Sequence, residues 1–197
     1  MKTIALPVTV AAMRGENHPA DFKLALAGGL TAHIRTERDD DHEAPWEDGD
    51  GRGIVSNWTT RDKRPGERVL SSDGRSKRFY DYAATIEIAK RDGWDAPPYK
   101  TGTKDQQAAR AVEADFEFCR SWCADEWEYI GVIVTLTDGT GRKVGKDSIW
   151  GIESCENPGH GFYWHEQAAE MVNALAEAHA AESAERAEWE ARDTVTI

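Results

Sequence analysis

The residues able to do chemistry fall into a few short stretches. Residues 36–50, TERDDDHEAPWEDGD, hold eight acidic side chains against one arginine. Within them Asp39, Asp40 and Asp41 precede His42 and Glu43. A hard divalent cation needs oxygens that converge from alternating loop positions, with a glycine for the sharp turn and a closing glutamate. Three consecutive carboxylates lack that order, so the stretch reads as a solvated acidic loop. Cys119 and Cys123 lie one helical turn apart. With Cys155, His160 and His165 they compose a zinc donor set. The two cysteines also fall on an apolar stripe, where a free thiol packs as a small hydrophobe. The expectation is core cysteine, with no metal and no other cofactor.

Two further stretches are set aside. GTGRKVGKD, residues 139–147, has Asp147 where a phosphate loop needs Ser or Thr, and it sits in a hairpin turn rather than between strand and helix. Asn57-Trp58-Thr59 is a glycosylation sequon without consequence in a cytoplasmic protein. No nucleophile elbow, His-Glu-x-x-His pair or dinucleotide fingerprint occurs, and a non-catalytic protein is expected. Residues 61–78, RDKRPGERVLSSDGRSKR, carry seven basic side chains against three acidic ones. Phe79 and Tyr80 adjoin them as candidates for base stacking. The favoured reading is that this segment folds against the acidic loop and neutralises part of it.

These groups need elements to position them. TIALPVTVAA, near the N-terminus, reads as a strand. In GLTAHIRTE, Leu30, Ala32 and Ile34 alternate with Thr31, His33 and Arg35, a half-buried strand pattern. Residues 37–78 read as long ordered loops with short strands. FYDYAATIEIAKRDG predicts a helix capped by Asp81 and ended by Gly93. Residues 105–128 predict another, begun by Asp105, with Ala108, Val112, Phe116, Cys119, Cys123 and Trp127 as its apolar stripe. Ile130, Val132, Val134 and Leu136 share a face of a hairpin turned at DGTG. Residues 164–193 predict a helix whose buried stripe is Trp164, Ala168, Met171, Val172 and Leu175. Beyond His179 that stripe fades to alanine. The fold class is α+β: an antiparallel sheet with helices on one side and a long, partly projecting C-terminal helix. Residues 1–180 are read as one domain and 181–197 as its acidic, projecting end.

Composition sets the class of partner. The 197 residues carry a net charge of −12, with 24 basic and 36 acidic side chains. Such a field repels nucleic acid and anionic membrane, and attracts basic surfaces. No run approaches the roughly 20 apolar residues of a membrane span. Three cysteines and no secretory signal point to a reducing cytoplasm. Residues 105–128 hold seven acidic side chains against Arg110 and Arg120, and residues 166–193 hold eight against Arg186 and Arg192. Carboxylates repeating along a helix imitate the charge spacing of a nucleic-acid strand.

The stretches VSNWTTRDKRPGERVLSSDGRSKRFYDYA, AKRDGWDAPPY, YIGVIVTL and SIWGIES resemble a family of small accessory proteins of tailed bacteriophages and prophages. The resemblance covers residues 45–155 and carries no catalytic motif. It implies a protein acting in the cytoplasm of an infected bacterial host. Together with the charge, the expected function is binding and inhibition of a host protein with a basic nucleic-acid groove, such as a restriction or CRISPR-type defence complex. Neither direct nucleic-acid contact nor membrane contact is expected. The candidate partner-binding residues are Asp39, Asp40, Asp41, Glu113, Glu117, Asp125, Glu182, Glu185 and Glu188. An adaptor for another host protein and a metal-dependent enzyme are the alternative readings.

Overall fold

The computed structural model describes residues 3–13, 15–47, 52–94, 101–157 and 161–194. The elements run β1 (Thr3–Ile4), β2 (Asp21–Leu26), β3 (Thr31–Arg38), β4 (Glu67–Asp73), β5 (Ser76–Asp81), α1 (Tyr82–Asp92), α2 (Lys104–Cys123), β6 (Tyr129–Thr137), β7 (Lys143–Glu153) and α3 (Tyr163–Thr194). A short ribbon pairs Glu156–Asn157 with Gly161–Phe162. The fold is α+β, with a mostly antiparallel sheet and a long C-terminal helix. Packing divides the chain into two compact units, residues 1–40 with 128–197, and residues 41–127.

In the first unit the sheet order is β1-β2-β3-β6-β7. Register puts Ala32 opposite Leu136, Ile34 opposite Val134 and Thr36 opposite Val132. Alternation then sends Ala32, Ile34, Ile130, Val132, Val134 and Leu136 to one core, all with no measurable exposure. Trp164, Ala168, Met171 and Val172 of α3 close that core. Leu175 is half-buried, and Ala176 takes the next buried position. The N-terminal strand is shorter than its residues suggest. Pro7 cannot donate to a ladder, β1 ends at Ile4, and a 3-10 turn follows at Val10–Met13. The carboxamide of Asn173 ties this segment to α3, accepting from Val8 N–H at 2.6 Å and donating to Val8 O at 2.9 Å.

In the second unit β4 and β5 form a hairpin, and residues 55 and 59 bridge to its β5 edge. The helices α1 and α2 supply the rest of the core. Asp81 caps α1 by accepting the Ala84 N–H, and Gly93 ends it in the left-handed region. The predicted start of α2 is corrected. Thr103, not Asp105, is the cap: its hydroxyl accepts from Gln106 N–H, and the Gln106 side chain accepts from Thr103 N–H. Asp105 sits in the first turn and pairs with Lys90. The helix also stops at Cys123 rather than 128, because Asp125 turns left-handed at φ 55°. Trp127 is still buried, its indole N–H donating to Ser121 Oγ at 2.9 Å.

Val134→Asp places a carboxylate in the sealed core between sheet and α3. The cost expected is several kcal/mol, read as a large drop in melting temperature. A variant that melts like the parent would refute the register.

Candidate functional site

The candidate acidic residues meet different fates. Asp39 ends β3's extension, where its N–H donates to Tyr129 O at 2.8 Å and its carboxylate accepts from Gly151 N–H at 3.0 Å. It serves the backbone of its own unit. Asp40 pairs with Arg38 at 3.0 Å. Asp41 is exposed, and the His42 ring lies 3.0 Å from Glu43 O. The remainder of the acidic stretch, 48–50, lies outside the described residues.

On α2, Glu113 is held by Arg68 at 2.9 Å and by the Tyr82 hydroxyl at 2.7 Å. The Arg68 guanidinium, then the Tyr82 hydroxyl, keep its carboxyl below the ordinary range. Arg68 also covers the Tyr82 ring at 3.7 Å. Glu117 pairs with Arg120 at 2.7 Å. Asp125 is exposed at the left-handed turn. Glu113 and Glu117 are therefore partly neutralised within their own unit.

The C-terminal helix differs. Every residue from Ala180 to Arg192 is exposed. Glu188 approaches Arg192 only at 3.9 Å, with both side chains mostly in water. Among the described residues, no cation lies within ion-pair distance of Glu182 or Glu185. Trp189, 65% exposed, stands among them.

The basic segment finds its carboxylates away from the acidic loop. Arg61 forms a double bond pair with Glu67 at 2.7 and 2.6 Å and lies over Phe79. Arg68 goes to Glu113 of α2. The contact with residues 36–50 is aromatic: the Arg78 guanidinium lies 4.7 Å from the Trp46 ring. Phe79 and Tyr80, the candidates for base stacking, are 1% and 0% exposed and belong to the core, which rules that role out.

The zinc donor set divides between the two units. Cys119 is fully buried and Cys123 half-buried in the second unit. Burial raises both thiols above their ordinary range, most strongly at Cys119. Cys155 and His165 belong to the first unit, and His165 donates from Nε2 to Glu16 O at 2.9 Å. His160 lies outside the described residues. No group of three or more metal-ligating side chains forms among the described residues.

Two polar clusters escaped the sequence reading. Asp115 lies on the apolar stripe of α2, three residues after Val112 and four before Cys119, which is the signal that marks it. It is 7% exposed and accepts from Tyr80 Oη at 2.6 Å and Gly53 N–H at 2.8 Å, with Arg52 at 3.5 Å. Burial, then this bond to Asp115, pushes the Tyr80 hydroxyl far up. A Cβ on Gly53 would sit 2.2 Å from that hydroxyl, so the close approach requires glycine. In the first unit, His18 lies 2.8 Å from both Thr36 Oγ1 and Glu128. In a neutral imidazole whose Nε2–H donates to the carboxylate, Nδ1 accepts from the hydroxyl. The order hydroxyl, imidazole, carboxylate is that of an activated nucleophile. Thr36 is buried at 6% and already accepts from Ala20 N–H at 2.8 Å, so the array is a structural tie.

No family model, curated protein or solved structure matches the chain.

Two measurements follow from these pairs. Asp115→Ala strands the Gly53 N–H and Tyr80 O–H, and should cost about 2–5 kcal/mol in urea unfolding. A loss below 1 kcal/mol, taken as roughly one net hydrogen bond, would show that the network is dispensable. Arg61 first, then the backbone N–H of Arg64, hold Glu67 at about 2, against an ordinary 4.5. A depressed carboxyl stabilises fully above the unfolded value and loses that contribution as pH falls through the folded one. The melting-temperature gap between parent and Glu67→Gln should therefore be constant above pH 4.5 and shrink toward pH 2. A gap independent of pH would refute the assignment.

Proposed function

We propose that this protein is a non-catalytic binding protein that presents carboxylates on its C-terminal helix to a basic groove of a partner protein. The carrying observation is the run from Ala180 to Arg192, a helical extension in which every residue is exposed. A helix of 13 residues without packing contributes little to folding on its own. Glu182, Glu185 and Glu188 rise about 4.5 Å apart along the axis, close to the 3.4 Å charge spacing per strand of a duplex. A groove shaped for phosphates meets a comparable row of negative charge. The resemblance to phage accessory proteins makes a restriction or CRISPR-type complex in the host cytoplasm the first partner to test.

Trp189 supports a second reading, an adaptor that docks by its aromatic side chain, because exposed tryptophan is a frequent binding anchor. The two readings separate by salt and by mutation.

Charge reversal of Glu182, Glu185 and Glu188 to Lys should leave the melting temperature within a degree or so, as expected for exposed sites. It should weaken capture of a basic partner from bacterial lysate about tenfold, about 1.4 kcal/mol, mainly through the association rate. Added DNA should compete, and affinity should fall with salt as charges are screened beyond about 8 Å. The same reversal at Glu113, Glu117 and Asp125 is a poorer test, since it breaks the Arg68 pair. Binding that ignores salt and the triple reversal but is lost in Trp189→Ala would establish the adaptor instead.

A further inference from the structure

The second unit contains a guanidinium clamped by aromatic rings and, among the described residues, matched to no carboxylate. Arg78 of β5 lies 4.7 Å from the Trp46 ring and 5.1 Å from the Trp58 ring. Trp46 is itself held edge-on by Trp122 at 5.3 Å. Arg52, Arg61, Arg68, Arg91 and Arg120 of the same unit each reach a carboxylate. Among the described residues Arg78 reaches none. Its Nε is sealed from water without a hydrogen-bond partner, while its terminal nitrogens are neither sealed nor bonded to any described residue.

The arrangement is costly for folding alone. A buried N–H without an acceptor loses its hydration, and the planar head is immobilised without a counter-charge. The same features favour ligand binding. A pre-oriented guanidinium forms two parallel bonds to a phosphate without further ordering. Trp58 is 46% exposed, so part of its ring meets water beside that head. Exposed indole takes a flat ring by stacking.

We propose that Trp46, Arg78 and Trp58 form a binding site for a nucleotide unit, in which a phosphate meets the Arg78 fork and the base stacks on Trp58. Charge favours a small ligand over a polymer. Residues 41–127 hold 14 of the 24 basic and 18 of the 36 acidic side chains, so this unit carries a net −4 of the −12. One phosphate needs only the local cation, whereas a strand would extend into the wider negative field.

Isothermal titration calorimetry on the full chain tests this, with adenosine monophosphate as probe and inorganic phosphate, adenosine and a short single-stranded oligothymidylate as comparison arms. Saturable binding of adenosine monophosphate is expected, at least about tenfold tighter than phosphate or adenosine alone, with the oligonucleotide no tighter per nucleotide. Trp58→Ala, at an exposed position, should keep the parent melting temperature and weaken binding about tenfold. Arg78→Gln should abolish it. The proposal fails if adenosine monophosphate gives no saturable heat, if phosphate alone binds as well, or if Trp58→Ala binds like the parent. Tighter binding of the oligonucleotide per nucleotide would overturn the small-ligand form in favour of a strand. Should Arg78→Gln not fold, Trp58→Ala decides alone.

Discussion

A carboxylate on an apolar helix face must be satisfied before that face can be buried, and Asp115 imposes this condition on the second unit. Its oxygens take the Tyr80 hydroxyl and the Gly53 N–H, with Arg52 as counter-charge. Two separate parts of the chain are thereby tied to α2: the loop at 52–53 and strand β5. Tyr80, fully buried, then packs edge-on against Phe116 at 5.4 Å. A loop with few apolar residues is ordered by polar contacts to a buried acid. This is how a segment rich in Gly, Arg, Asp and Ser acquires a defined path without a large core of its own.

The allocation of charge follows the same logic. A chain with 36 acidic side chains repels itself unless cations are placed where carboxylates crowd. Arg61 answers Glu67, Arg68 answers Glu113, Arg120 answers Glu117 and Arg38 answers Asp40. Most of these pairs are exposed, and each contributes little to stability. Their consequence lies in the surface they leave. Carboxylates paired with arginine present a weaker field than their number implies. Glu182 and Glu185 of the terminal helix, with no cation in ion-pair distance among the described residues, keep theirs. On the proposed reading, that contrast makes the terminal helix the surface offered to a basic partner.

The two units also differ in how they use aromatic residues. In the core of the first unit, Trp164 of α3 is sealed, against His165 and Phe162. In the second unit arginines lie over Phe79, Phe118, Tyr82, Trp46 and Trp58. Such cation–ring contacts let a basic segment lie against aromatic residues without a matching number of acids. Among the described residues, Arg61 and Arg68 are accommodated by rings and by carboxylates outside the acidic loop, and Arg78 by the Trp46 ring within it.

Periodicity alone determined the elements with long apolar patterns. The hairpin of β6 and β7, the cap and stop of α1, and the buried half and exposed end of α3 were all legible, because each depends on residues close in sequence. The fading of the α3 stripe to alanine after His179 already marked the exposed extension. What the sequence could not carry was pairing at a distance. Whether Asp115 faced water with its acidic neighbours or turned inward depended on Tyr80 and Gly53, 35 and 62 residues away. Whether Glu113 was a free surface charge depended on Arg68, and whether Phe79 and Tyr80 could stack on bases depended on which faces of β5 were covered. Local pattern sets the period with which a side chain leaves the backbone. Only the tertiary structure brings the partner that decides whether its charge is spent inside the molecule or left for another.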